Sequence, residues 1–521
     1  MFLAQAPAAP LEVPSVDYAA VLPMLIVFGV ACIGVLVEAF APKSTRWGIQ
    51  VTISLGAILA SGVSLILYAT GSTATKAGTT TFSGSISVDR PSLFLWGTLL
   101  LLGLGAVFLI ADRKVEPGGA FVAQAAIRPG TVQDRAQAAT TSQTEVFPLT
   151  LFALGGMMTF CAANDLLTMF IALEVLSLPL YLMCGLARRR RLISQEAAVK
   201  YFLLGAFSSA FFLYGLALLY GYADSVKLAD IAHAAAGSDR SDTLLFAGLG
   251  LLVVGLLFKG SVGPFHTWTP DVYQGAPTPV TGFMAACTKV AAFGAILRVL
   301  SVGFSSTSWE WRGVMWAVAI ISMALGAILG LTQTDVKRMI AYSSVAHAGF
   351  LLVGAIAMTE DGLSSTLFYL LAYGFTTLAA FGVVSLVRDS SGEATHLSAW
   401  AGLAKRSPLL AGVFTFLLLA LAGIPLTSGF VGKFVVFSAA LSDGMAPLVV
   451  IALVFSAVAA FFYLRVIVLM YFSEPAADGP TVTVPGGFTT AAIALGVVVT
   501  LVLGVLPAFA LDWAGAGGFA S

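Results

Sequence analysis

With 521 residues, 59% of them hydrophobic and only 10% charged, the chain has far more apolar sequence than a soluble core uses; soluble domains carry roughly 25% charged residues. Lysine plus arginine equals aspartate plus glutamate at 26 each, so net charge recruits neither nucleic acid nor an acidic partner. A mean hydropathy of +0.96 excludes a soluble class and leaves an all-α polytopic membrane protein.

About 20 apolar residues cross a bilayer as a helix. Runs of that length predict about fourteen transmembrane helices. A Pro/Ala-rich start, Met1 to Ser15, contains Glu12 and lacks the basic region of a signal peptide. Spans near 19–41, 49–70 and 91–111 follow, then a loop at 112–146 to which no role is assigned. The next spans are 147–163, 165–186, 196–222, an overlong 243–277, and 278–302. The last are 311–331, 335–358, 363–388, an overlong 408–442, 446–472 and 487–511.

Lys43, Arg46, Arg113, Lys114, Arg128, Arg135, Arg188 to Arg191, Lys337, Arg338, Arg388, Lys405 and Arg406 fall on one set of alternate loops. The opposite loops hold only Lys76, Arg90, Lys227, Arg240, Arg298 and Arg312. The positive-inside rule makes the first set cytoplasmic. An even number of helices then puts both termini on the outer side. The Arg188–Arg191 run reads as a topology anchor facing anionic headgroups.

The overlong spans read Gly255-Leu-Leu-Phe-Lys-Gly-Ser-Val-Gly-Pro-Phe-His-Thr-Trp-Thr-Pro270 and Leu421-Ala-Gly-Ile-Pro-Leu-Thr-Ser-Gly-Phe-Val-Gly-Lys-Phe434. Proline has no N–H and leaves a carbonyl unpaired, which breaks a helix. Broken backbone at membrane depth survives only inside protein or beside a hydrated cavity. Each break lies within a turn or two of a lysine, and the breaks are five helices apart. That pattern predicts two inverted five-helix repeats, each with a broken helix, over 147–302 and 303–472. Residues 1–146 form an N-terminal three-helix segment with its loop, and 473–521 a C-terminal helix.

Seven ionisable residues lie in or at the edge of apolar spans: Glu174, Lys200, Lys259, His266, Lys289, His347 and Lys433. Each charge at a bilayer centre costs roughly 2.5–3.5 kcal/mol on insertion scales, so several together point to charge translocation. Glu174 sits mid-span and needs a cationic partner to stay charged. Lys259, beside the first break, is the expected one, and such a lysine can gain or lose its proton when its neighbour moves. Lys289 lies among small residues from which it cannot easily snorkel. Lys433 is the matching lysine of the second break. Imidazole can accept one proton while donating another, so His266 and His347 are candidate connectors. Lys200, four residues after Glu196, and Lys337, at a helix start with Asp335 and Arg338, read equally as edge residues. His233 and His396 fall in loops without a role.

Cys32, Cys161, Cys184 and Cys287 each lie in apolar sequence without disulfide or metal-site spacing. No phosphate-binding or dinucleotide motif occurs, and no iron–sulfur or haem ligand pattern. The sequence therefore predicts no nucleotide, metal or redox cofactor in this chain, and energy that arrives from a partner or an ion gradient.

Ala162 to Tyr181, Glu196 to Ala210, Lys259 to Pro279 and Asp335 to Gly349 together resemble the antiporter-like subunits of the proton-translocating NADH:quinone oxidoreductase, respiratory complex I. The likeness runs from about residue 17 to 511. Lys433 separates the chain from the M-type, which is expected to carry a glutamate there. The lack of a long lateral helix after 511 separates it from the L-type, leaving the N-type. The resemblance implies a translocase subunit in which Glu174, Lys259, Lys289, Lys433, His266, His347, Lys200 and Lys337 relay protons, driven by quinone reduction elsewhere. It further implies NADH, FMN, iron–sulfur clusters and quinone in partner subunits. The expected partners are neighbouring antiporter-like and small membrane subunits, with lipid around them in the cell membrane. A subunit of a multi-subunit sodium/proton antiporter is the alternative. A stand-alone secondary transporter is a weaker fit, since it calls for a polar or aromatic substrate pocket rather than a row of lysines.

Overall fold

The computed structural model describes residues 16–71, 78–116, 118–122, 127, 131–133, 143–237, 242–389, 392–475 and 479–520. Glu12, Lys76, Arg128, Arg135 and Arg240, used in the sequence reading, lie outside these residues. So does about half of the 112–146 loop.

Three helices come first: α1 (Tyr18–Phe40), α2 (Lys43–Gly71) and α3 (Arg90–Ala111). Next are α4 (Val146–Ala162), α5 (Leu166–Cys184), α6 (Arg191–Ala223) and the short α7 (Leu228–Gly237). The first broken span is α8 (Asp242–Lys259) and α9 (Trp268–Gly275), followed by α10 (Thr278–Gly303). Then come α11 (Ser308–Leu331), α12 (Val336–Ile356) and α13 (Glu360–Val384). The second broken span is α14 (Pro408–Ala422) and α15 (Ser428–Ser442), and α16 (Ala446–Phe472), α17 (Gly487–Val505) and α18 (Ala508–Ala514) end the fold. Among the described residues, twelve helices are long and apolar enough to cross a membrane. The shorter α4 and the α14–α15 pair complete the fourteen expected crossings.

Strands are marginal. β1 (Thr79–Thr81) and β2 (Ile86–Val88) form a hairpin. β3 (Val387–Asp389) pairs antiparallel with β4 (Gly392–Glu393) and β5 (Thr481–Val482).

The inverted repeat is visible in backbone detail. Asp165 caps α5 by accepting from the Thr168 N–H, and Asp335 caps α12 by accepting from Lys337 and Arg338. On either side of Asp165, the Leu166 N–H donates to the Val226 carbonyl (2.9 Å) and the Leu228 N–H to the Asn164 carbonyl (3.2 Å). Around Asp335, Val336 donates to Thr395 and Leu397 to Thr334, both at 2.7 Å. In each repeat the loop after the third helix thus clamps the start of the second. Five crossings separate the clamps, so they lie on opposite faces.

Glycines repeat the correspondence. Gly156 on α4 lies against the backbone of Leu176 on α5, and Gly326 on α11 against that of Ala346 on α12. Gly326 precedes Asp335 by the same spacing as Gly156 precedes Asp165. A side chain at either glycine would meet main chain that cannot yield, and overpacking costs about 1–3 kcal/mol or more. Gly326→Leu is therefore expected to cut the amount of folded subunit in membranes. Gly56→Leu, where nothing lies within 4 Å, should leave it unchanged. Equal abundance of the two variants on an immunoblot would contradict the packing argument.

α10 and α13 are buried along their whole apolar windows and α12 nearly so, making these three the centre of the fold. α10 carries a π-turn at Met284–Thr288, immediately before Lys289. Such wide turns shift side-chain register and concentrate at functional positions.

Two expectations about basic residues are corrected. Arg298 is not in an outer loop. It is fully buried within α10, 2.9 Å from Asp89, with its Nε donating to the Cys161 carbonyl at 2.9 Å. The Arg188–Arg191 run is more than a headgroup anchor: Arg188 and Arg191 are buried, and Arg189 is exposed. Arg188 donates to the carbonyls of Gly118, Gly119 and Phe121, Arg189 pairs with Glu116, and Arg190 donates to Thr395. The segment after α3 supplies the acceptors of Arg188 and Arg189, and the segment after β4 that of Arg190.

Candidate functional site

Lys259, Lys289, His347 and Lys433 are buried, on α8, α10, α12 and α15, with half-buried Glu174 on α5 and Tyr201 of α6 beside the first of them. Lys259 is the last residue of α8, where the break frees its side chain to turn inward. Its ammonium donates to Ser177 Oγ on α5 (2.7 Å) and to the Tyr201 hydroxyl on α6 (3.1 Å). The rings of Tyr181 and Tyr201 lie 5.7 and 5.2 Å from it. Trp268 of α9 stacks on Tyr201 at 4.6 Å, fixing the ring that supplies the hydroxyl.

Direct pairing of Glu174 with Lys259 is not what the structure contains. Lys259 reaches α5 about one turn beyond Glu174, where the Ser177 hydroxyl intercepts it. Ser177 in turn donates to the Leu173 carbonyl. Glu174 remains within electrostatic reach of Lys259, and its Oε1 is buried with no hydrogen-bond partner.

Lys289 follows the π-turn of α10. It donates to the Ser344 carbonyl on α12 (2.7 Å) and the Gly260 carbonyl just past α8 (3.2 Å), with the Tyr373 ring at 5.6 Å. One ammonium therefore joins the first broken helix to the second repeat. Lys433 does the same work at the second break. It donates to the carbonyls of Leu421 (3.1 Å) and Ala422 (2.9 Å) and to Ser456 Oγ (3.0 Å). The last carbonyls of a helix have no intrahelical partner and carry partial negative charge, so a cation there is favoured twice over. Gly423 makes this possible: its φ of +87° turns the chain out of α14.

His347 lies between these two lysines, within electrostatic reach of both. Its Nδ1 is 2.7 Å from the Tyr369 hydroxyl and its Nε2 3.4 Å from that of Tyr463, which also bonds Ser343. The Tyr373 ring lies 4.9 Å away and links it toward Lys289. The spacing that matches Asp165 with Asp335 also matches Ser177 with His347 and Glu174 with Ser344. The second repeat thus keeps the geometry of the first but exchanges a carboxylate for a serine and a serine for an imidazole.

The other three candidates are placed differently. His266 lies in the first break, buried, edge-on to Tyr342 at 6.0 Å, with Nδ1 unpartnered. It makes no contact with the lysines. Lys200 is partly exposed and held by Glu196 and Asp271, both at 2.7 Å; Arg338 joins Asp271 at 2.6 Å. That cluster ties α6, α9 and α12 together. Lys337 is not an edge residue. It is buried, donating to the Ala276 carbonyl (2.9 Å) and Thr278 Oγ1 (3.0 Å), with Glu393 at 3.4 Å. Glu393 reaches it from β4.

Sequence reasoning missed Ser177, Tyr201, Ser344, Tyr369, Tyr373, Tyr463 and Asp271. The available signal was tyrosine in apolar sequence away from span ends, where its hydroxyl needs a buried partner. Among the described residues no group of three or more His, Cys, Asp or Glu is arranged to hold a metal, and the four cysteines are unpaired.

A family model described as NADH:quinone oxidoreductase/Mrp antiporter, TM, matches residues 163–460. NADH-quinone oxidoreductase subunit N of Saccharopolyspora erythraea is 76% identical over 98% of this chain and 99% of its own length. A chain of the respiratory complex I of Thermus thermophilus superposes with a TM-score of 0.76 at 34% identity, over 95% of this chain and all of that one. A chain of the Mrp complex from Dietzia gives a TM-score of 0.81 at 22% identity, over 96% of this chain and 97% of that one, a likeness of fold.

Proposed function

The chain belongs to the subunit N family of NADH-quinone oxidoreductase, and from that premise we propose that it moves protons across the membrane along Glu174, Lys259, Lys289, His347 and Lys433. Quinone reduction in partner subunits drives the movement. Each positive charge moved against the membrane potential needs about 2.3 kcal/mol per 100 mV, which a redox partner provides.

The observation that carries the proposal is the kind of oxygen around each lysine. An ammonium has three N–H donors, and the neutral amine keeps two and gains a lone pair. Lys433 faces two carbonyls and one hydroxyl. Charged, it donates to all three; neutral, it donates to the carbonyls and accepts from Ser456. Lys289 faces two carbonyls, matched by the two donors of the neutral amine. Lys259 faces two hydroxyls, and that of Tyr201 can reverse. His347 between two tyrosine hydroxyls is bonded in either tautomer. Each side chain therefore keeps hydrogen bonds in both protonation states, with a tyrosine ring near the ammonium of Lys259 and of Lys289, each of which has three donors for two oxygens; a buried polar group left wholly unpaired would cost about 1–3 kcal/mol. A carboxylate locked onto each lysine would favour the charged state alone.

In this reading 147–302 and 303–472 are the two transport halves, with 1–146 and 473–521 bracing them. Lys200 supports the α9 end through Asp271. Lys337 connects the second half to the cytoplasmic face, and His266 lines the first break. Both termini lie on the outer side. Neighbouring antiporter-like and small membrane subunits flank the chain, while FMN, iron–sulfur clusters, NADH and quinone belong to the partners.

Glu174→Ala and Lys259→Ala are expected to abolish most NADH-driven proton pumping in membrane vesicles while the complex still assembles. Normal pumping in both variants would refute the relay. Affinity purification of the tagged chain should recover flavin- and iron–sulfur-containing subunits. Recovery of small antiporter subunits alone would assign it to the other branch of the family.

A further inference from the structure

A groove of about 550 Å³ opens between the start of α2, the end of α3 and the start of α17. Trp47, Phe108, Phe488 and Ala491 line it, with Arg113 and Lys114 in the same lining. Phe108 stacks on Phe488 at 5.9 Å, Trp47 meets Phe488 edge-on at 6.3 Å, and the Arg113 guanidinium sits 4.2 Å over the Trp47 ring. The carboxylate in the lining, Asp112, is buried and already engaged. It accepts from the Lys114 N–H (2.8 Å) and from the Thr489 N–H at the start of α17 (3.0 Å).

An aromatic wall with basic side chains at the level of helix ends marks the membrane–water interface. The apolar wall gives nothing to a free anion, and the two cations give nothing to a bare hydrocarbon chain or an apolar partner helix. One amphiphile meets both demands. We propose that this groove binds one anionic bilayer phospholipid, its headgroup phosphate at Arg113 and Lys114 and an acyl chain along Phe108 and Phe488. The lipid would join the N-terminal helices to α17, which Asp112 ties to the end of α3 through a side-chain hydrogen bond.

The test uses the assembled complex, delipidated and titrated with phosphatidylglycerol or phosphatidylcholine in mixed micelles, with bound lipid counted by native mass spectrometry. The complex with Arg113→Gln and Lys114→Gln is expected to lose one phosphatidylglycerol that the parent retains, with affinity for it about thirtyfold lower, since each basic residue near the surface is worth about fivefold. Phosphatidylcholine binding should not change. Ala491→Trp, which fills the groove and keeps both cations, should lose the same lipid. Both changes are at exposed positions, so the folded complex remains measurable. Equal phosphatidylglycerol retention in parent and double variant would overturn the proposal, as would equal loss of both headgroups. Photocrosslinking from position 491 to a protein subunit in place of lipid would also overturn it.

Discussion

Lys289→Ala is expected to slow proton transfer through the chain by about a hundredfold, the lower range for loss of a positioned proton-transfer group. NADH oxidation by an artificial acceptor, which needs no membrane step, should continue at the parental rate. Lys289 is chosen because, of Lys259, Lys289 and Lys433, it is the one whose described hydrogen bonds reach both repeats, through Gly260 and Ser344. Alanine removes the charge, the donors and the titrating group together, so Lys289→Arg separates them. Arginine keeps a positive charge and donors for both carbonyls but does not release its proton in proteins. A relay predicts that the arginine variant pumps as poorly as alanine. A purely electrostatic or packing role predicts that arginine restores pumping. Pumping is read as dye quenching in inverted vesicles against NADH consumed, and parental pumping with arginine would dispose of the relay role.

The second large effect is on stability. Arg298 and Asp89 are both buried, and each has further bonds: Arg298 to Ser92 (2.6 Å) and the Cys161 carbonyl, Asp89 to the Ser92 N–H and the Ala520 N–H. Arg298→Ala leaves the Asp89 charge buried and unpaired, which costs about 3–5 kcal/mol. Little folded subunit should then remain in membranes. Combining Arg298→Met with Asp89→Asn removes both charges and keeps the cap of α3, since asparagine caps a helix as well as aspartate. Subunit abundance and resistance to thermal inactivation should largely recover in the double variant. If the double variant is as depleted as the single one, the unpaired charge is not the cause.

The crossings and both breaks were legible in the sequence because they are local. An apolar run sets a span, and Gly423, Pro425 and the Gly260–Pro264 stretch punctuate one. The repeat was legible from the pairing of those breaks. What each lysine touches was not, since the contacts join residues far apart in sequence: Lys259 with Ser177, Lys289 with Ser344, Lys433 with Ser456. Charge complementarity suggested Glu174 for Lys259, but reach along α5 decided for the serine. Arg298 looked like a loop residue because a single arginine near a span end resembles a snorkelling one. Its partner Asp89 lies 209 residues earlier. Arg188 and Lys337 were misjudged because their partners also lie far off in sequence, Gly118 and Gly119 for Arg188 and Ala276 and Thr278 for Lys337. The residues that cover them, Gly118 to Phe121 after α3 and Glu393 on β4, are placed by tertiary contacts.

The clamps at Asp165 and Asp335 restrict how the machine can work. Each second helix is fastened at its start by two backbone hydrogen bonds and wedged along its length against a glycine. Sliding either helix like a piston would break both bonds, at about 1 kcal/mol each, and drive main chain into main chain. The stroke therefore belongs to smaller parts. Lysine tips, rotating hydroxyls and the protons themselves can all move within a scaffold that stays still.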